Sequence, residues 1–333
     1  MTPKPSLTQA LDLLARLPQA KVLCLGDLML DRYVYGTADR LSPEAPVPVV
    51  RVQRRAVMPG GLGNVAKNLA ALGVKALAVA LVGDDGPGQE LKSLLAAALS
   101  PLTPTFLADP DRPTTVKTRL IAGIQQVVRY DEESTEPLSP AVAALYRAEI
   151  EKALPKVKAV ALSDYGKGVL SPEVAAFALD LAQKAGRPTV VDPKGVDYEP
   201  YRGATLVTPN CHELSMATGR PLAKTDSDGI AAAGFGLMAR HGVKNLLVTR
   251  SEEGMTLLLN SGQAIHLPTR ARAVYDVSGA GDTVMGVMAA ALAAGASLME
   301  GAELAALAAG VVVGKVGTAV ATPAEIKESI NFP

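Results

Sequence analysis

Short apolar runs alternate along most of the chain with segments whose apolar residues follow helical spacing. The first run, KVLCLG at 21–26, is continuous, as in strands that are buried on both faces. Similar runs recur from ALAVALVG at 76–83 to VKNLLVTR at 243–250. Strands that alternate with helices predict an α/β fold with a mainly parallel central sheet flanked by helices. The helices between these strands are predicted at about 88–98, 171–185, from Cys211, and 228–241.

Two stretches depart from this pattern and predict a separate small sheet. Residues 33–56 contain three prolines in SPEAPVPVV and then alternate apolar with polar positions, which is typical of an edge strand. Residues 113–130 predict a hairpin around Gly123. We expect the two segments to join into a small β-sheet lid, and the whole chain, 1–333, to form a single domain.

The segment DVSGAGDTVMGVM at 276–288 predicts a tight turn that opens a helix at about Ala280. A helix N-terminus exposes unpaired N–H groups and partial positive charge, so Gly279, Ala280 and Gly281 predict an anion cradle. Asp282, in the first helical turn, could take a proton from a hydroxyl that attacks a phosphoryl group. Alternatively, Asp282 only complements the helix terminus.

The segment PGGLGNVAKNLAALG at 59–73 predicts a second helix, which begins near Asn64. The Asn64 amide can donate to and accept from a sugar hydroxyl, or it can cap the helix. A nicotinamide-dependent oxidoreductase is an alternative, because G-x-G-x-x-A fits Gly61, Gly63 and Ala66, with Asp84 near the expected distance. The polar QRR and Pro59 stand where the buried strand of that motif belongs, which argues against it.

Polar residues collect where the predicted strands end. Asp27 and Asp31 follow the first strand, at the edge where open α/β sheets bind ligands. Asn210 and Glu213, three positions apart, could hold a magnesium-bound water beside phosphates, or form a capping box. Other polar residues at these strand ends are Asp164, Lys167, Asp192, Lys194, Thr249 and Arg250.

Composition narrows the functional classes. The 333 residues carry 33 basic and 33 acidic side chains and no basic tract, so we expect no nucleic-acid partner. Cys24 and Cys211 are too few for a disulfide framework, and no apolar stretch is long enough to span a bilayer. These features predict a cytoplasmic protein without a membrane partner.

Several catalytic motifs are absent from the sequence. There is no GxSxG nucleophile elbow and no GxxxxGK[ST] phosphate loop, and the three histidines lack metal-ligand spacing. Phosphoryl transfer would therefore need a different phosphate cradle.

Taken together, PGGLGNVAKNLAALG and DVSGAGDTVMGV resemble the two signatures of the ribokinase-like (PfkB) carbohydrate kinases. The segments GDLMLDRY, SPEAPVPVV, SDYGKGVL, DPKG, TPNCHE and VTRSEEGM extend the resemblance over nearly the whole chain. They look most like the D-glycero-β-D-manno-heptose-7-phosphate kinases, which phosphorylate the anomeric hydroxyl. This resemblance implies a ribokinase-like fold, ATP and Mg²⁺ as cofactors, K⁺ as a further candidate, and a homodimer formed through the lid.

The resemblance also implies roles for matching residues. Asp282 would be the catalytic base, and Gly279, Ala280 and Gly281 would contribute the anion hole. Sugar contacts would come from Asp31, Gly60, Gly61 and Asn64. The nucleotide would contact Asn210, Cys211, His212, Glu213, Thr249, Arg250, Ser251 and Gly254. Glu213 would bind magnesium through water, and Asp276 and Ser278 a monovalent cation. The distal phosphate of a phosphosugar needs basic partners, and the candidates are Lys167, Lys194, Arg119 and Arg129.

Two departures from the subgroup and several alternative functions remain. Leu62 and Gly63 stand where smaller or alanine residues are expected. Bacterial relatives often continue into a nucleotidylyltransferase domain with an HxGH motif, and this sequence ends at Pro333 without one. We therefore expect a separate protein to perform adenylylation. Alternatives are a kinase for another phosphosugar, a ribose-like sugar or a nucleoside, and a non-catalytic sugar or nucleotide sensor.

Overall fold

The computed structural model describes residues 7–271 and 274–331. Its strands are β1 (Lys21–Gly26), β2 (Leu28–Leu41), β3 (Pro48–Gly61), β4 (Lys75–Gly83), β5 (Thr105–Asp109), β6 (Thr115–Ala122), β7 (Gln125–Glu132), β8 (Ala159–Ser163), β9 (Thr189–Asp192), β10 (Leu206–Val207), β11 (Leu246–Thr249), β12 (Met255–Leu258) and β13 (Ala264–Leu267). Its α-helices are α1 (Leu7–Arg16), α2 (Leu62–Ala71), α3 (Gly86–Leu99), α4 (Pro140–Ala153), α5 (Pro172–Lys184), α6 (Cys211–Thr218), α7 (Ser227–His241), α8 (Ala280–Ala293), α9 (Leu298–Val312) and α10 (Pro323–Asn331).

The main sheet contains nine of these strands, in the order β13-β12-β11-β10-β9-β8-β1-β4-β5. All neighbours from β11 to β5 are parallel, and β12 and β13 add an antiparallel edge. The predicted α/β fold with a mainly parallel sheet is confirmed. Because parallel strands end at one edge of the sheet, the loops after β1, β8, β9, β10 and β11 gather there.

Two hydrophobic cores cover the faces of the main sheet. Alternate residues of β1 face opposite cores, with Val22 and Cys24 in one and Leu23 and Leu25 in the other. Helices α2, α8 and α9 pack in the first core, and α4, α5 and α7 in the second. Helix α8 is buried from Asp282 to Ala291, so its first turn is held firmly against the sheet. In the described part of the chain, no helix has the length and apolarity needed to cross a membrane.

The helix boundaries follow capping residues that the apolar spacing did not reveal. Helix α3 starts two residues before the predicted position, because Asp85 accepts a hydrogen bond from the Gly88 N–H at 2.7 Å. Helix α5 starts after Ser171, whose hydroxyl accepts from the Val174 N–H at 3.4 Å. Both helices otherwise occupy the predicted positions.

The remaining four strands form the small sheet, in the order β3-β2-β6-β7. Strand β2 pairs antiparallel with β3 and parallel with β6, and β6 turns into β7 at Gly123. The two predicted segments therefore do join, and the hairpin at Gly123 is confirmed. The first segment is not one edge strand, however, but two 14-residue strands that begin at Leu28 and end at Gly61. The inner end of β2 escaped prediction because LMLD is buried throughout and does not alternate.

Candidate active site

Asp282 lies in the first turn of α8 and is only 2% exposed. Its carboxylate accepts one hydrogen bond from Nδ2 of Asn64 to Oδ2 and one from the Tyr165 hydroxyl to Oδ1, each at 2.9 Å. Asn64 belongs to α2, and Tyr165 follows β8. Three distant segments therefore meet at this carboxylate and restrict its rotation.

The electrostatics of Asp282 suit proton transfer near neutral pH. Burial raises the pKa of Asp282 to about 7. The hydrogen bonds from Asn64 and Tyr165 oppose this rise because they favour the charged form, whereas the negative charge of Asp31 adds to it. A carboxylate with a pKa near the working pH can accept a proton from a hydroxyl during its attack.

Asn64 is placed for contact with Asp282 rather than for helix capping. The N-cap of α2 is Gly61, and Asn64 lies inside the first turn, fully buried. The alternative that Asn64 caps the helix is therefore wrong. Gly279, with φ of +78°, lies against Asn64, and a Cβ there would collide with Nδ2 of Asn64. The glycine thus allows the turn before α8 to approach α2 closely.

The predicted anion cradle is only partly available in this structure. The first hydrogen bond of the helical pattern runs from the Thr283 N–H to the Gly279 carbonyl at 3.0 Å, so the N–H groups of Gly281 and Asp282 precede it. The Ala280 N–H donates to a carbonyl of the preceding loop at 3.2 Å. Gly281 is exposed, so its N–H and that of Asp282 are the ones best placed to meet an anion.

A second buried carboxylate, Asp31, lies on β2 within the predicted sugar site. Its Oδ1 is 2.6 Å from a guanidinium nitrogen of Arg119, which reaches it from β6. Gly60 is adjacent, since a Cβ there would collide with Oδ2 of Asp31. The structure therefore brings Asp31, Gly60, Gly61 and Asn64 into the region of Asp282, and adds Arg119 as the partner of Asp31.

Asp27 has a structural role in this fold. Its carboxylate accepts hydrogen bonds from the N–H groups of Tyr165 at 2.8 Å, Lys167 at 3.0 Å and Val169 at 3.3 Å. Burial raises the pKa of Asp27, and these three donors oppose the rise. Asp27 therefore organises the loop after β8 and is not the ligand-facing acid that its position after β1 suggested.

The two lysines predicted to bind substrate lie in different surroundings. Lys167 is paired with Glu133, just after β7, at 2.6 Å. Lys194 is half-exposed, and its Nζ lies 3.5 Å from Oε1 of Glu213. Arg129 pairs with Asp131 at 3.1 Å on the small sheet. Lys194 is thus the less constrained lysine.

A cleft of about 200 Å³ opens beside Gly281 at the carboxyl edge of the main sheet. Its lining includes Asp192, Lys194, Asn210, Glu213 and Thr249. Burial, followed by the charges of Asp282 and Glu213, raises the pKa of Asp192 well above its ordinary value. A lysine, acidic groups and helix N–H groups around one cleft fit a polyphosphate that carries a divalent cation.

Asn210 and Glu213 form the capping box that was the alternative to a metal role. The Glu213 N–H donates to Oδ1 of Asn210 at 2.9 Å, and the Asn210 N–H donates to Oε2 of Glu213 at 3.0 Å. The second carboxylate oxygen of Glu213 stays near Lys194 and lines the cleft. Capping and contact with a hydrated cation are therefore compatible for this residue.

The other six residues predicted to contact nucleotide divide into three groups. Thr249 lines the cleft beside Asn210, whereas the side chains of Cys211 and Arg250 are directed into the protein. The Cys211 Sγ lies 3.6 Å from the Leu222 carbonyl. Arg250 donates to the carbonyl of Lys224 at 2.7 Å and to the hydroxyl of Thr256 at 3.0 Å. Its guanidinium therefore supports the loops around the edge strands and does not reach the cleft.

The last three of these residues lie at the surface or in a tight turn. His212 is exposed on α6, and Ser251 is exposed with φ of +54°. Gly254 has φ of +82° and accepts a hydrogen bond from the Arg250 N–H at 2.8 Å. Gly254 thus serves the turn between β11 and β12.

Asp276 and Ser278, the residues predicted to bind a monovalent cation, are connected by a hydrogen bond from a backbone N–H group to the Asp276 carboxylate. The Asp276 carboxylate accepts from the N–H groups of Ser278 and Gly317, each at 2.9 Å. Burial tends to raise the pKa of Asp276, but these hydrogen bonds outweigh it and hold the pKa below its ordinary value. Within residues 7–271 and 274–331, no three His, Cys, Asp or Glu side chains are grouped as a metal site.

Sequence reasoning missed the residues that orient the predicted base. Tyr165 belongs to the SDYGKG motif, but a sequence does not show where a loop side chain points. Asn68 donates to the Asn64 carbonyl at 2.9 Å and accepts from the Thr283 hydroxyl at 3.0 Å, which links α2 to α8. The signal for Asn68 was its spacing, since positions i and i+4 share one face of a helix.

Comparison with known proteins identifies the family. Residues 19–325 match the model of the pfkB family carbohydrate kinases. The chain belongs to this family, and it is a carbohydrate kinase. It is 49% identical over 326 residues to the bifunctional protein HldE of Paramagnetospirillum magneticum, which covers 98% of this chain and 66% of that protein. HldE of Rhodospirillum rubrum is 46% identical over 332 residues, which is 99% of this chain and 66% of that protein. The chain thus spans about two thirds of the length of these relatives.

Solved structures support the same fold for this pfkB kinase. Phosphofructokinase-2 from Escherichia coli in complex with potassium matches with a TM-score of 0.74 and 22% identity, over 93% of this chain and 97% of that one. Ribokinase from Arabidopsis thaliana, complexed with ribose and ATP, matches with a TM-score of 0.73 and 21% identity, over 94% and 99% of the two chains. The predicted ribokinase-like architecture is confirmed. The dinucleotide-binding alternative lacks its structural context, because Gly61 ends an antiparallel strand of the small sheet.

Proposed function

We propose that this carbohydrate kinase transfers the γ-phosphoryl group of ATP to O1 of D-glycero-β-D-manno-heptose 7-phosphate. The product is the 1,7-bisphosphate, an intermediate on the way to ADP-heptose and the lipopolysaccharide core. The observation that carries the proposal is the buried Asp282 carboxylate, fixed by two donors beside the N-terminal N–H groups of α8. The sequence resemblance to the heptose-phosphate kinases and the similarity to HldE proteins support the choice of sugar.

The proposed chemistry follows from this arrangement. Asp282 accepts the proton of the attacking hydroxyl, and its raised pKa suits that transfer. The N–H groups of Gly281 and Asp282, with the dipole of α8, stabilise negative charge on the phosphoryl group in transit. Magnesium bound with ATP supplies further charge neutralisation, and Glu213 is the residue that we assign to its hydration shell.

The acceptor site is proposed to lie between the small sheet and the first turns of α2 and α8. Asp31, Gly60 and Asn64 would contact the sugar hydroxyls, while Arg119 holds Asp31 in place. For the distal phosphate we retain Lys167 and Lys194 as candidates. Lys167 would have to exchange its ion pair with Glu133 for the phosphate, and Lys194 lines the cleft that we assign to the polyphosphate, so neither lysine is preferred.

The small sheet is proposed to act as a lid and as the surface of a homodimer. Its exposed apolar or aromatic side chains include Val52 on the edge strand β3, and Val128 and Tyr130 on the opposite edge strand β7. A single domain that includes this lid, a cytoplasmic location and activation by K⁺ complete the proposal. Sedimentation velocity of the wild type and of Val128→Glu would test the dimer.

A substrate panel tests the proposed function. Release of ADP from ATP and magnesium is measured with D-glycero-D-manno-heptose 7-phosphate, ribose, fructose 6-phosphate and adenosine as acceptors. We expect turnover with the heptose phosphate and little with the others. Preference for another acceptor would refute the heptose assignment and leave the kinase. The absence of turnover with every acceptor would support a sensor.

A further inference from the structure

The loop after β8 presents a side chain to Asp282 that neither the phosphate cradle nor the sugar site accounts for. The Tyr165 hydroxyl lies 2.9 Å from Oδ1 of Asp282, on the opposite carboxylate oxygen from Asn64. Burial, followed by the charge of Asp282, raises the pKa of Tyr165 well above its ordinary value. The phenol therefore stays protonated and remains a hydrogen-bond donor.

The position of Tyr165 is set by the backbone around it. Its N–H donates to Asp27 at 2.8 Å, and Asp27 holds two further N–H groups of the same loop. The N–H of Asp27 in turn donates to the Ser163 carbonyl at 3.1 Å, which ties the ends of β1 and β8 together. A Cβ built on Gly61 would lie 3.5 Å from the Tyr165 ring, so the ring fits against the glycine turn before α2. The phenol is thus held on a rigid support.

We propose that Tyr165 is a positioning residue, whose phenol fixes the rotation of the Asp282 carboxylate that accepts the proton. The inference rests on the proposed function. Asn64 is expected to contact the sugar, and its amide has to satisfy both the sugar and the carboxylate. The Tyr165 hydroxyl does not have to bind two partners. Among the hydrogen bonds of the described residues, it donates only to Asp282. The carboxylate therefore keeps its orientation while the acceptor binds and leaves.

Two further acids lie near Tyr165 and Asp282. Asp31 on β2, paired with Arg119, and Asp192 at the end of β9 both act on Tyr165 or Asp282 through their charge. Neither acid forms a hydrogen bond with the phenol. Replacing Tyr165 with Phe therefore removes one donor and leaves these charges in place.

The test compares Tyr165→Phe with the wild type in the heptose-phosphate kinase assay across pH. The variant should lose roughly tenfold in kcat with little change in KM, and the acid limb of kcat/KM should move up by about one pH unit. Substrate ionisations are the same in both proteins, so the difference between the two profiles reports on the enzyme. Tyr198→Phe is the matched control, since it removes another buried phenol hydroxyl, one with no partner among the described residues. Its profile should superimpose on that of the wild type.

A second variant separates positioning from a general effect on folding. Site-specific 3-fluorotyrosine at 165 keeps the ring and the hydroxyl but makes the phenol a stronger donor, so the acid limb should move down instead of up. A wild-type profile in both Tyr165 variants would overturn the inference. Asp282→Asn is measured alongside: if it is inactive while the Tyr165 variants are normal, only the inference fails. If it turns over normally, the proposed function and the inference both fail.

Discussion

Two glycines at opposite ends of α8 allow the contact between Gly279 and Asn64 to be tested apart from backbone strain. Gly279 and Gly295 both have φ of +78°. A Cβ at Gly279 would collide with Nδ2 of Asn64, whereas a Cβ at Gly295 would meet nothing within 4 Å. Gly279→Ala and Gly295→Ala therefore share the cost of a left-handed conformation and differ in the collision with Asn64 and a tighter contact, at 3.3 Å, with Cγ2 of Thr318.

The magnitudes follow from that difference. Alanine in the left-handed region costs each variant roughly 1–2 kcal/mol of stability. In Gly279→Ala, the displaced Asn64 also loses its hydrogen bond to the charged Asp282, which is worth about 1.5–3 kcal/mol. If that bond orients the base in the transition state, turnover should fall about 10- to 100-fold.

The assay combines urea unfolding with steady-state kinetics at saturating ATP and sugar phosphate. Gly295→Ala should lose stability and retain a kcat close to that of the wild type. Gly279→Ala should lose more stability and most of its kcat. Equal kcat values for the two variants would refute the argument that the close approach of Gly279 to Asn64 supports the base.

Further outcomes concern Asp282 and three arginines. The stability of Asp282→Asn relative to the wild type should rise between pH about 4 and about 7, by on the order of 4 kcal/mol in total, and stay constant above that, because the folded state raises the pKa of the buried carboxyl. Urea titrations of both proteins across pH check this, and a pH-independent difference would contradict it. Arg119→Met should raise the KM for sugar, since it unpairs Asp31, while the exposed Arg129→Met should not; saturation kinetics at fixed ATP distinguish them. Arg250→Met should lower Tm and leave the KM for ATP unchanged, and a raised KM for ATP at normal Tm would show that its guanidinium does reach the nucleotide.

Much of the framework was predictable from the sequence because burial periodicity is a local signal. The run KVLCLG became β1, and the turn at Gly279 did open α8 at Ala280. The small sheet was also predictable from prolines and alternating residues. Its inner strand was harder, because residues 28–31 are buried like a strand of the main sheet.

Side-chain direction at strand ends and in loops was the part that the sequence did not reveal. Asp27 and Asp31 both follow β1 at similar positions, yet one binds loop N–H groups and the other pairs with Arg119. Arg250 directly follows Thr249, the last residue of β11, but successive residues point in opposite directions, and the Arg250 guanidinium turns inward. Tyr165 was missed for the same reason, because only the folded loop brings it to Asp282.

The most direct test of the central claim is the structure of the reaction product. The enzyme is incubated with ATP, magnesium and D-glycero-D-manno-heptose 7-phosphate, and phosphorus NMR follows the mixture while ADP is quantified. We expect a new phosphate resonance coupled to the anomeric proton, formed in equal amount to ADP and absent with Asp282→Asn. ADP formed without an anomeric phosphate, or the same product from Asp282→Asn at a normal rate, would contradict the claim.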